Sequence, residues 1–290
     1  MLPQFELFIP DSLKEASELL LQYGEKARIY AGGTDVLVQM SKGQSAPSAL
    51  IDIKRLELKG IEYSPVKGLT IGALTTHREL EKSPLIKDKF SALHDGVSRV
   101  GSVQTRNMGT IGGNLCSALP SADSAGPLLA LGARVRLFGL QGERELPLER
   151  FFLGAKKTVL EQGEILTHIL IPPVALKNAQ AYIKFSRRKA MDLALIGVSV
   201  YFALDEKGTV CRQARVALTT AATTPIRAYQ AEDFLSGRVL IEDNLKEAGL
   251  KAAAEAKPRD SWRSGGDYRR HLIKVLVPRA ARLALSRLEK

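Results

Sequence analysis

Two short glycine turns decide how this sequence folds: Ala31-Gly-Gly-Thr-Asp-Val-Leu37 and Gly109-Thr-Ile-Gly-Gly-Asn-Leu115. In each turn a glycine pair follows apolar residues and precedes small polar ones. Glycine permits positive φ and lets backbone amides approach a ligand closely, and consecutive amides in such turns form concave nests that suit a pyrophosphate. Either turn alone is better explained as a tight turn whose glycines serve only the backbone. Together, two nests from separate parts of the chain could hold a dinucleotide from both sides.

Two familiar phosphate-binding motifs are missing from the sequence. No G-x-G-x-x-G occurs, so the ordinary Rossmann fingerprint is absent. No G-x-x-x-x-G-K-[ST] occurs either, which argues against a nucleotide-hydrolysing P-loop. A dinucleotide bound to this chain would therefore be held by another fold.

The composition is that of an ordinary globular protein. The chain has 290 residues, 45% hydrophobic and 25% charged, with a formal net charge of +11. This excludes a disordered polymer, a collagen and a small disulfide scaffold, and the length predicts two domains. No apolar stretch is long enough to span a membrane, and no signal peptide is visible. Two isolated cysteines, Cys116 and Cys211, indicate a reducing cytoplasmic compartment and no metal site in this chain.

The positive charge is concentrated at the C-terminal end. Residues 251–290 carry 11 Lys/Arg and 4 Asp/Glu, a net of +7. Such a segment could contact RNA or an acidic partner. Its charges alternate with a helical apolar pattern rather than with aromatic residues, which favours a solvated helical face and a subunit-docking edge.

The order of elements predicts an α+β protein. Ser12 and Glu15 form a capping box for a helix that ends at Gly24. Strands are expected at 27–30, 49–53, 69–72, 133–138 and 164–171, with short helices at 76–81, 90–100 and 125–131 around a polar passage, 101–124. The last of these strands stops at Pro172-Pro173, which predicts a domain boundary near residue 175. Beyond it we expect three strands (181–187, 194–204 and 209–219) followed by two helices (243–256 and 268–288).

The two glycine turns, with Leu119-Pro-Ser-Ala-Asp123 and Lys184-Phe-Ser-Arg-Arg-Lys189, make the sequence resemble a known family. It is similar to the FAD-binding medium subunit of molybdenum hydroxylases, which include xanthine dehydrogenases and aerobic carbon monoxide dehydrogenases. The resemblance extends over nearly the whole chain. It implies a vanillyl-alcohol-oxidase (PCMH-type) FAD-binding domain at 1–175, with subdomains at about 1–55 and 56–175. A C-terminal domain of antiparallel sheet plus helices, like that of the carbon monoxide dehydrogenase flavoprotein, would occupy 176–290.

The resemblance also implies a set of FAD-binding residues. The first turn would wrap the pyrophosphate, the second would face the same phosphates, Asp123 would accept hydrogen bonds from sugar or ribityl hydroxyls, and Lys184 would reach the flavin ring. Leu166 would pack near the flavin or adenine, and Val100 takes the position of an aromatic residue that stacks on the flavin in eukaryotic relatives. Asp123 as a helix cap, Leu166 as ordinary core and Lys184 as a solvated strand residue are the alternatives. The full set is Ile29, Tyr30, Ala31, Gly32, Gly33, Thr34, Asp35, Val36, Val100, Thr110, Gly112, Gly113, Asn114, Asp123, Leu166 and Lys184.

The function implied by the resemblance is electron transfer. A large partner subunit would carry the molybdenum–pterin cofactor and hydroxylate the substrate, and a small partner would carry two [2Fe–2S] clusters. This chain would pass electrons through FAD to NAD, a quinone, a ferredoxin or oxygen. A stand-alone FAD reductase of the same fold is the first alternative, and a basic module that binds RNA or an acidic partner is the second.

Overall fold

The N-terminal part of the computed structural model, which describes residues 2–288, is a three-stranded parallel sheet with two helices. Its strands β1 (Glu6–Phe8), β2 (Ala27–Tyr30) and β3 (Ala49–Asp52) lie in the order β1-β3-β2. Helices α1 (Leu13–Tyr23) and α2 (Val36–Ser41) connect them. As predicted, Ser12 caps α1 by accepting a hydrogen bond from the Glu15 amide, and Gly24 ends it at φ +56°. In the expected capping box the Glu15 carboxylate would accept a hydrogen bond from the Ser12 amide. In the structure it accepts from the Asp11 amide instead.

The middle of the chain is built on a five-stranded antiparallel sheet. Its strands, in the order β4-β5-β10-β6-β7, are β4 (Ile61–Ser64), β5 (Gly68–Gly72), β6 (Arg134–Gly139), β7 (Gly142–Pro147) and β10 (Ile165–Ile171). A two-stranded ribbon, β8 (Phe152–Gly154) and β9 (Lys157–Thr158), precedes the last strand. The predicted strands at 69–72, 133–138 and 164–171 are confirmed within one or two residues.

Six short helices cover this sheet. They are α3 (His77–Lys82), α4 (Pro84–Lys89), α5 (Ser91–Val97), α6 (Val103–Met108), α7 (Ile111–Cys116) and α8 (Ala125–Ala130). The passage 101–124 contains two of these helices, which its polar composition did not reveal. Each is a six-residue segment started by a hydroxyl side chain, Ser102 or Thr110, that accepts a hydrogen bond from the backbone amide three residues on. The polar side chains and the glycine pair of these two segments hide the apolar periodicity from which helices are predicted.

The C-terminal part is a four-stranded antiparallel sheet covered by three helices. The strands are β11 (Asn178–Phe185), β12 (Ile196–Leu204), β13 (Cys211–Thr219) and β14 (Ile226–Arg227), in sequence order. The helices are α9 (Tyr229–Leu235), α10 (Glu242–Glu255) and α11 (Gly266–Leu285). The three predicted strands and both predicted helices are confirmed, with boundaries shifted by a few residues, whereas β14 and α9 were not predicted.

Three hydrophobic cores hold these units together. The largest lies between the five-stranded sheet and the short helices and includes Phe90, Phe151 and Ile169. Another fills the space between the C-terminal sheet and its helices. A small core under the parallel sheet includes Leu74 and Ile165, which ties it to the central unit. The site described next lies where these units meet.

Several charges of the basic C-terminal segment are engaged by the protein itself. Arg269 is buried, Arg282 pairs with Glu242 of α10, and Arg287 forms two hydrogen bonds with the Asp95 carboxylate of α5. Arg270, Lys274 and Arg279 lie on exposed positions of α11, whereas Lys257, Arg259 and Arg263 lie in the loop that precedes it. Among residues 2–288, no helix is long and apolar enough to cross a membrane.

Candidate FAD-binding cleft

A cleft of about 840 Å³ opens between the parallel sheet, the five-stranded sheet and the loop that joins β11 to β12. Both glycine turns line it. So do nearly all the other residues that the sequence singled out, and the full set on the cleft is Ile29, Ala31, Gly32, Gly33, Thr34, Asp35, Val36, Val100, Thr110, Gly112, Gly113, Asn114, Asp123 and Leu166. The fold thus brings together residues that lie far apart in the sequence.

The first turn presents open backbone amides to the cleft. Within residues 2–288, the four consecutive amides from Gly32 to Asp35 face no protein acceptor. Gly33 has φ +71°, a conformation that glycine adopts without strain. A Cβ on Gly32 would lie 2.0 Å from the Met108 carbonyl oxygen, so only glycine fits here. This arrangement is a concave nest of the kind that binds phosphate oxygens.

The second turn has its amides engaged within the protein. Those of Ile111 and Gly112 donate to the carbonyls of Thr75 and Ala73, both at 2.9 Å. The Gly113 amide donates to the Thr110 side chain at 3.2 Å, and the Asn114 amide donates to the Thr110 carbonyl at 3.0 Å. This corrects the sequence-based picture of a second free nest, because the start of α7 uses these donors itself.

Polar side chains of α7 still reach the cleft. The Asn114 carbonyl oxygen accepts from the Ser124 hydroxyl at 2.7 Å, which leaves the Asn114 NH₂ group, among the described residues, without a protein partner. The Ser117 hydroxyl donates to the Asp35 carboxylate at 2.5 Å and links this helix to the first turn. The second turn therefore offers side-chain donors rather than a row of amides.

Asp123 lies on the cleft wall in a buried hydrogen-bond network. The Tyr182 hydroxyl donates to one carboxylate oxygen at 2.8 Å, and the Lys184 ammonium donates to the other at 2.6 Å. Burial raises the pKa of Asp123, and the Lys184 charge opposes that rise. Helix α8 begins at Ser124 without a side-chain cap, so Asp123 is not the cap that one alternative supposed.

Two of the expected binding residues do not line the cleft. Lys184 is directed at Asp123 and the Arg99 carbonyl, with a side chain only 7% exposed, so it lies behind the cleft wall. The Tyr30 ring lies under the Lys54 ammonium, 4.1 Å from it. Lys184 is thus held by its ion pair with Asp123, and the Tyr30 ring lies between Lys54 and the backbone of Gly33.

Several further residues on the cleft were not singled out from the sequence. His77 lines the cleft while only 1% exposed, and its Nδ1 has no hydrogen-bond partner among the described residues. Burial, helped by the Arg106 charge, lowers the pKa of His77 to about 4, so its imidazole is neutral. Residues 191–193 close one side of the cleft from the C-terminal part. No sequence signal identifies these residues, because they reach the cleft only through long-range packing.

Cys116 also lies on the cleft, where its thiol stays protonated. Burial raises the pKa of its thiol to about 12, so the reactive thiolate is scarce near neutrality. Within residues 2–288, no group of three or more His, Cys, Asp or Glu side chains is placed to hold a metal ion. Leu166 belongs both to the main core and to the cleft wall, so the two interpretations of this residue are compatible.

The shape and donors of the cleft fit a dinucleotide such as FAD. The open amides of the first turn complement phosphate oxygens, and apolar residues provide walls for flat rings. A Cβ at Gly32 would strike Met108, so the turn's close packing against the chain ahead of α7 depends on glycine. The cleft therefore combines an anion cradle with an apolar cavity.

Comparisons with known proteins agree with this assignment. Residues 3–174 match the family model described as the FAD binding domain in molybdopterin dehydrogenase, and residues 181–284 match the CO dehydrogenase flavoprotein C-terminal domain. The chain is 33% identical to the carbon monoxide dehydrogenase medium chain of Hydrogenophaga pseudoflava over 98% of both chains. It is 36% identical to the nicotinate dehydrogenase FAD-subunit of Eubacterium barkeri over 83% of both.

Solved structures show the same fold. A carbon monoxide dehydrogenase structure from Hydrogenophaga pseudoflava superposes with a TM-score of 0.94 at 33% identity, and 99% of each chain is covered. Quinoline 2-oxidoreductase from Pseudomonas putida 86 gives a TM-score of 0.91 at 29% identity over the full length of both chains. The chain belongs to the family of FAD-binding medium subunits of the molybdenum hydroxylases. It is accordingly an oxidoreductase subunit with an FAD-binding domain and a flavoprotein C-terminal domain.

Proposed function

We propose that this chain binds FAD in the cleft with the pyrophosphate on the first turn. The four open amides from Gly32 to Asp35 are the observation that carries the proposal. Hydrogen bonds from several amides to a charged phosphate are individually stronger than neutral ones. The Asn114 NH₂ group would donate from the opposite wall.

The remaining binding residues take supporting roles in this proposal. Ile29, Ala31, Val36, Val100 and Leu166 supply apolar or backbone walls. Asp123, with both oxygens already bonded, would accept further hydrogen bonds from ligand hydroxyls through its free lone pairs. Lys184 would act through Asp123 by keeping the carboxylate ionised and oriented, rather than by touching the flavin ring. Tyr30 would support Gly33 from behind, since a Cβ there would meet the Tyr30 ring at 2.5 Å.

The function that follows is electron transfer within a larger complex. FAD, when bound, supplies reversible one- and two-electron redox chemistry, and the protein supplies binding, orientation and electrostatics. We propose a large partner that carries the molybdenum–pterin cofactor and a small partner with two [2Fe–2S] clusters. This chain would link those clusters to an external acceptor: NAD, a quinone, a ferredoxin or oxygen. The named relatives include a medium chain and an FAD-subunit, which supports a division of labour among subunits.

Domain limits and compartment are part of the same proposal. We place the FAD-binding domain at 1–175, with subdomains at about 1–55 and 56–175, and the C-terminal domain at 176–290. The change from the five-stranded sheet to the C-terminal sheet after Ile171 supports this division. Both cysteines are free thiols, as expected for a complex that works in the reducing cytoplasm.

The test is an absorption spectrum and metal analysis of the complex purified with its neighbouring subunits. Flavin absorbance with stoichiometric molybdenum and iron is the expected result. Flavin without either metal would replace the proposal by a stand-alone FAD reductase. If the complex contains both metals but no flavin, even after incubation with FAD, the assignment of the cleft is wrong. The acceptor is then identified by offering each of the four candidates to the substrate-reduced complex and measuring its rate of reoxidation.

A further inference from the structure

A second, smaller cavity of about 100 Å³ lies beside the cleft. It is formed where the loop before α11 meets residues 119–121 and the ends of the C-terminal strands. Leu119, Ser121 and Leu193 line both cavities, so one layer of residues separates them. A cavity of this size holds a few water molecules or one tetrahedral oxyanion.

Three arginines line this small cavity, and no carboxylate does. They are Arg259, Arg263 and Arg269. In the part of the chain that the structure describes, none of the three forms an ion pair with an acidic side chain. The neighbouring Asp260 carboxylate accepts from the Gly266 amide at 2.6 Å. The Asp260 charge also raises the pKa of Arg269 and so opposes the effect of the other two arginines, but three guanidinium groups beside one carboxylate leave the cavity with an excess of positive charge.

Arg269 is the buried member of the group. Its residue is only 2% exposed, and its two terminal nitrogens donate to the Arg259 carbonyl and the Ser261 hydroxyl, both at 2.8 Å. Its Nε is buried and has no acceptor within residues 2–288. Burial lowers the pKa of Arg269, and so do the charges of Arg259 and Arg263. A buried cationic donor without an acceptor is costly, so an anion in the cavity would relieve the penalty.

Hydroxyl groups complete the cavity. Ser121, Ser261 and Thr220 line it together with the arginines. Thr220 has φ +62°, a conformation in which a β-branched residue is strained and which is found most often at functional sites. The Thr220 and Ser261 hydroxyls donate to the Ala194 and Ser264 carbonyls, so the guanidinium groups and the Ser121 hydroxyl are the donors that remain, among the described residues, for phosphate oxygens.

We propose that this cavity is a binding site for a single phosphate-sized oxyanion, held by Arg263, Arg269 and Arg259. The phosphate is either free inorganic phosphate or the terminal phosphate of a nucleotide whose remaining atoms lie outside the cavity. The site is distinct from the pyrophosphate nest of the cleft, since neither glycine turn contributes to it. The proposal stands independently of FAD binding.

The chain contains its own reporter for this site. Trp262 is the single tryptophan of the sequence, and the Arg263 guanidinium lies 4.6 Å from its ring. We would titrate the purified full chain with inorganic phosphate at constant ionic strength, and follow tryptophan emission and, in parallel, the heat of binding. A saturable change in both signals is expected with phosphate and none with chloride. No saturable change in either signal for the wild-type protein would overturn the proposal.

Two variants distinguish a specific anion site from non-specific attraction of phosphate to a basic protein. Arg259→Gln removes an exposed charge from the cavity, and Arg212→Gln removes an exposed charge that lines neither cavity. Loss of one charge-assisted hydrogen bond to phosphate is expected to weaken binding about tenfold in the first variant. Arg212→Gln is expected to bind as the wild type does. Equal weakening in both variants would show non-specific binding and overturn the proposal.

A second arm identifies the source of the phosphate. Adenosine 5′-monophosphate is titrated in the same way as inorganic phosphate. Tighter binding of the monophosphate supports a nucleotide whose phosphate enters the cavity, and binding of inorganic phosphate alone supports the free ion. Binding of either ligand supports the site if it is lost in Arg259→Gln and kept in Arg212→Gln. Saturable binding that persists unchanged in Arg259→Gln would place the anion elsewhere and overturn the proposal.

Discussion

The two glycine turns are alike in sequence and differ in what their amides do. In the first turn, four consecutive amides from Gly32 to Asp35 face no protein acceptor within residues 2–288. In the second, the amides from Ile111 to Asn114 are all bonded inside the protein. The first turn is thus an open anion nest, and the second is a helix start whose donors are used. A glycine pair in a sequence does not by itself show whether it serves a ligand or the backbone.

The glycines of the two turns are also required by different neighbours. A Cβ on Gly32 would strike the Met108 carbonyl, just before the second turn, whereas a Cβ on Gly112 would lie 2.6 Å from the Ala73 side chain. The first turn therefore packs on the chain that leads into the second, and the second packs on the end of β5. This stacking leaves the amides of the first turn open while the second turn supports it.

The largest expected effect is on the first turn. Gly32→Ala must displace the turn from Met108 and misalign its amides, so we expect FAD affinity to fall by about a hundredfold or more, since several charge-assisted hydrogen bonds weaken together. Flavin-fluorescence titration of the apoprotein measures it. Gly154→Ala is the matched control, because its Cβ would enter open space. Unchanged affinity in Gly32→Ala would show that the first turn does not hold the ligand.

The next effect concerns His77, whose own amide bonds the Gly109 carbonyl at the edge of the second turn. The folded-state pKa of His77 is about 4 against 6.5 ordinarily. Between these values the unfolded chain binds a proton that the folded chain does not, so stability falls as the pH falls. Over this pH range the unfolding free energy is expected to fall by up to about 3 kcal/mol because of His77.

Denaturant unfolding across that pH range measures this loss. His77→Gln is expected to remove it, so that the free-energy difference between wild type and variant shrinks as the pH falls. His271→Gln, at an exposed histidine, should leave the wild-type profile unchanged. Parallel pH profiles for wild type and His77→Gln would contradict the burial of a neutral imidazole.

A smaller effect is expected from the side chain that the second turn offers to the cleft. Asn114→Ala removes the NH₂ donor, and we expect FAD affinity to fall about tenfold, the value of one hydrogen bond. Asn244→Ala, whose amide bonds the Val239 carbonyl on the C-terminal part, is the control. If Asn114→Ala binds FAD as tightly as the control, the second turn contributes no donor to the ligand.

The smallest expected effect tests whether the second turn only supports the first turn or itself binds the ligand. Thr110→Val removes the side-chain oxygen that caps α7, and loss of such a cap costs about 1 kcal/mol of unfolding free energy. Thr110→Ser should restore it. FAD affinity should change little in either variant. A large loss of affinity in Thr110→Val with unchanged stability would mean that the second turn binds the ligand directly.

Much of the fold could be predicted because its longer elements carry local signals. Helix α1 has its cap and its terminal glycine, and the strands β10 to β13 are apolar runs bounded by turn residues. The helices α6 and α7 were missed because they lie in a polar, glycine-rich passage, and a glycine pair inside a helix disfavours its prediction. Strand β14 has only two residues, and it forms because β13 offers it an edge.

The candidate site was predicted in part. The residues quoted with the glycine motifs line one cleft, but Lys184 turns to Asp123 and Tyr30 lies under Lys54. His77 and the residues at 191–193 were missed. Their positions depend on how the C-terminal part and α3 pack against the cleft, which no local pattern encodes.

The sequence by itself determined the fold class, the two turns and the family, because these depend on motifs read along a continuous chain. Only the tertiary structure decided which turn keeps its amides free. The acceptors that occupy the second turn, the carbonyls of Ala73 and Thr75, come from a distant part of the chain. The packing of that part against α7 satisfies the donors there, and within residues 2–288 no acceptor packs in the same way against the amides of the first turn.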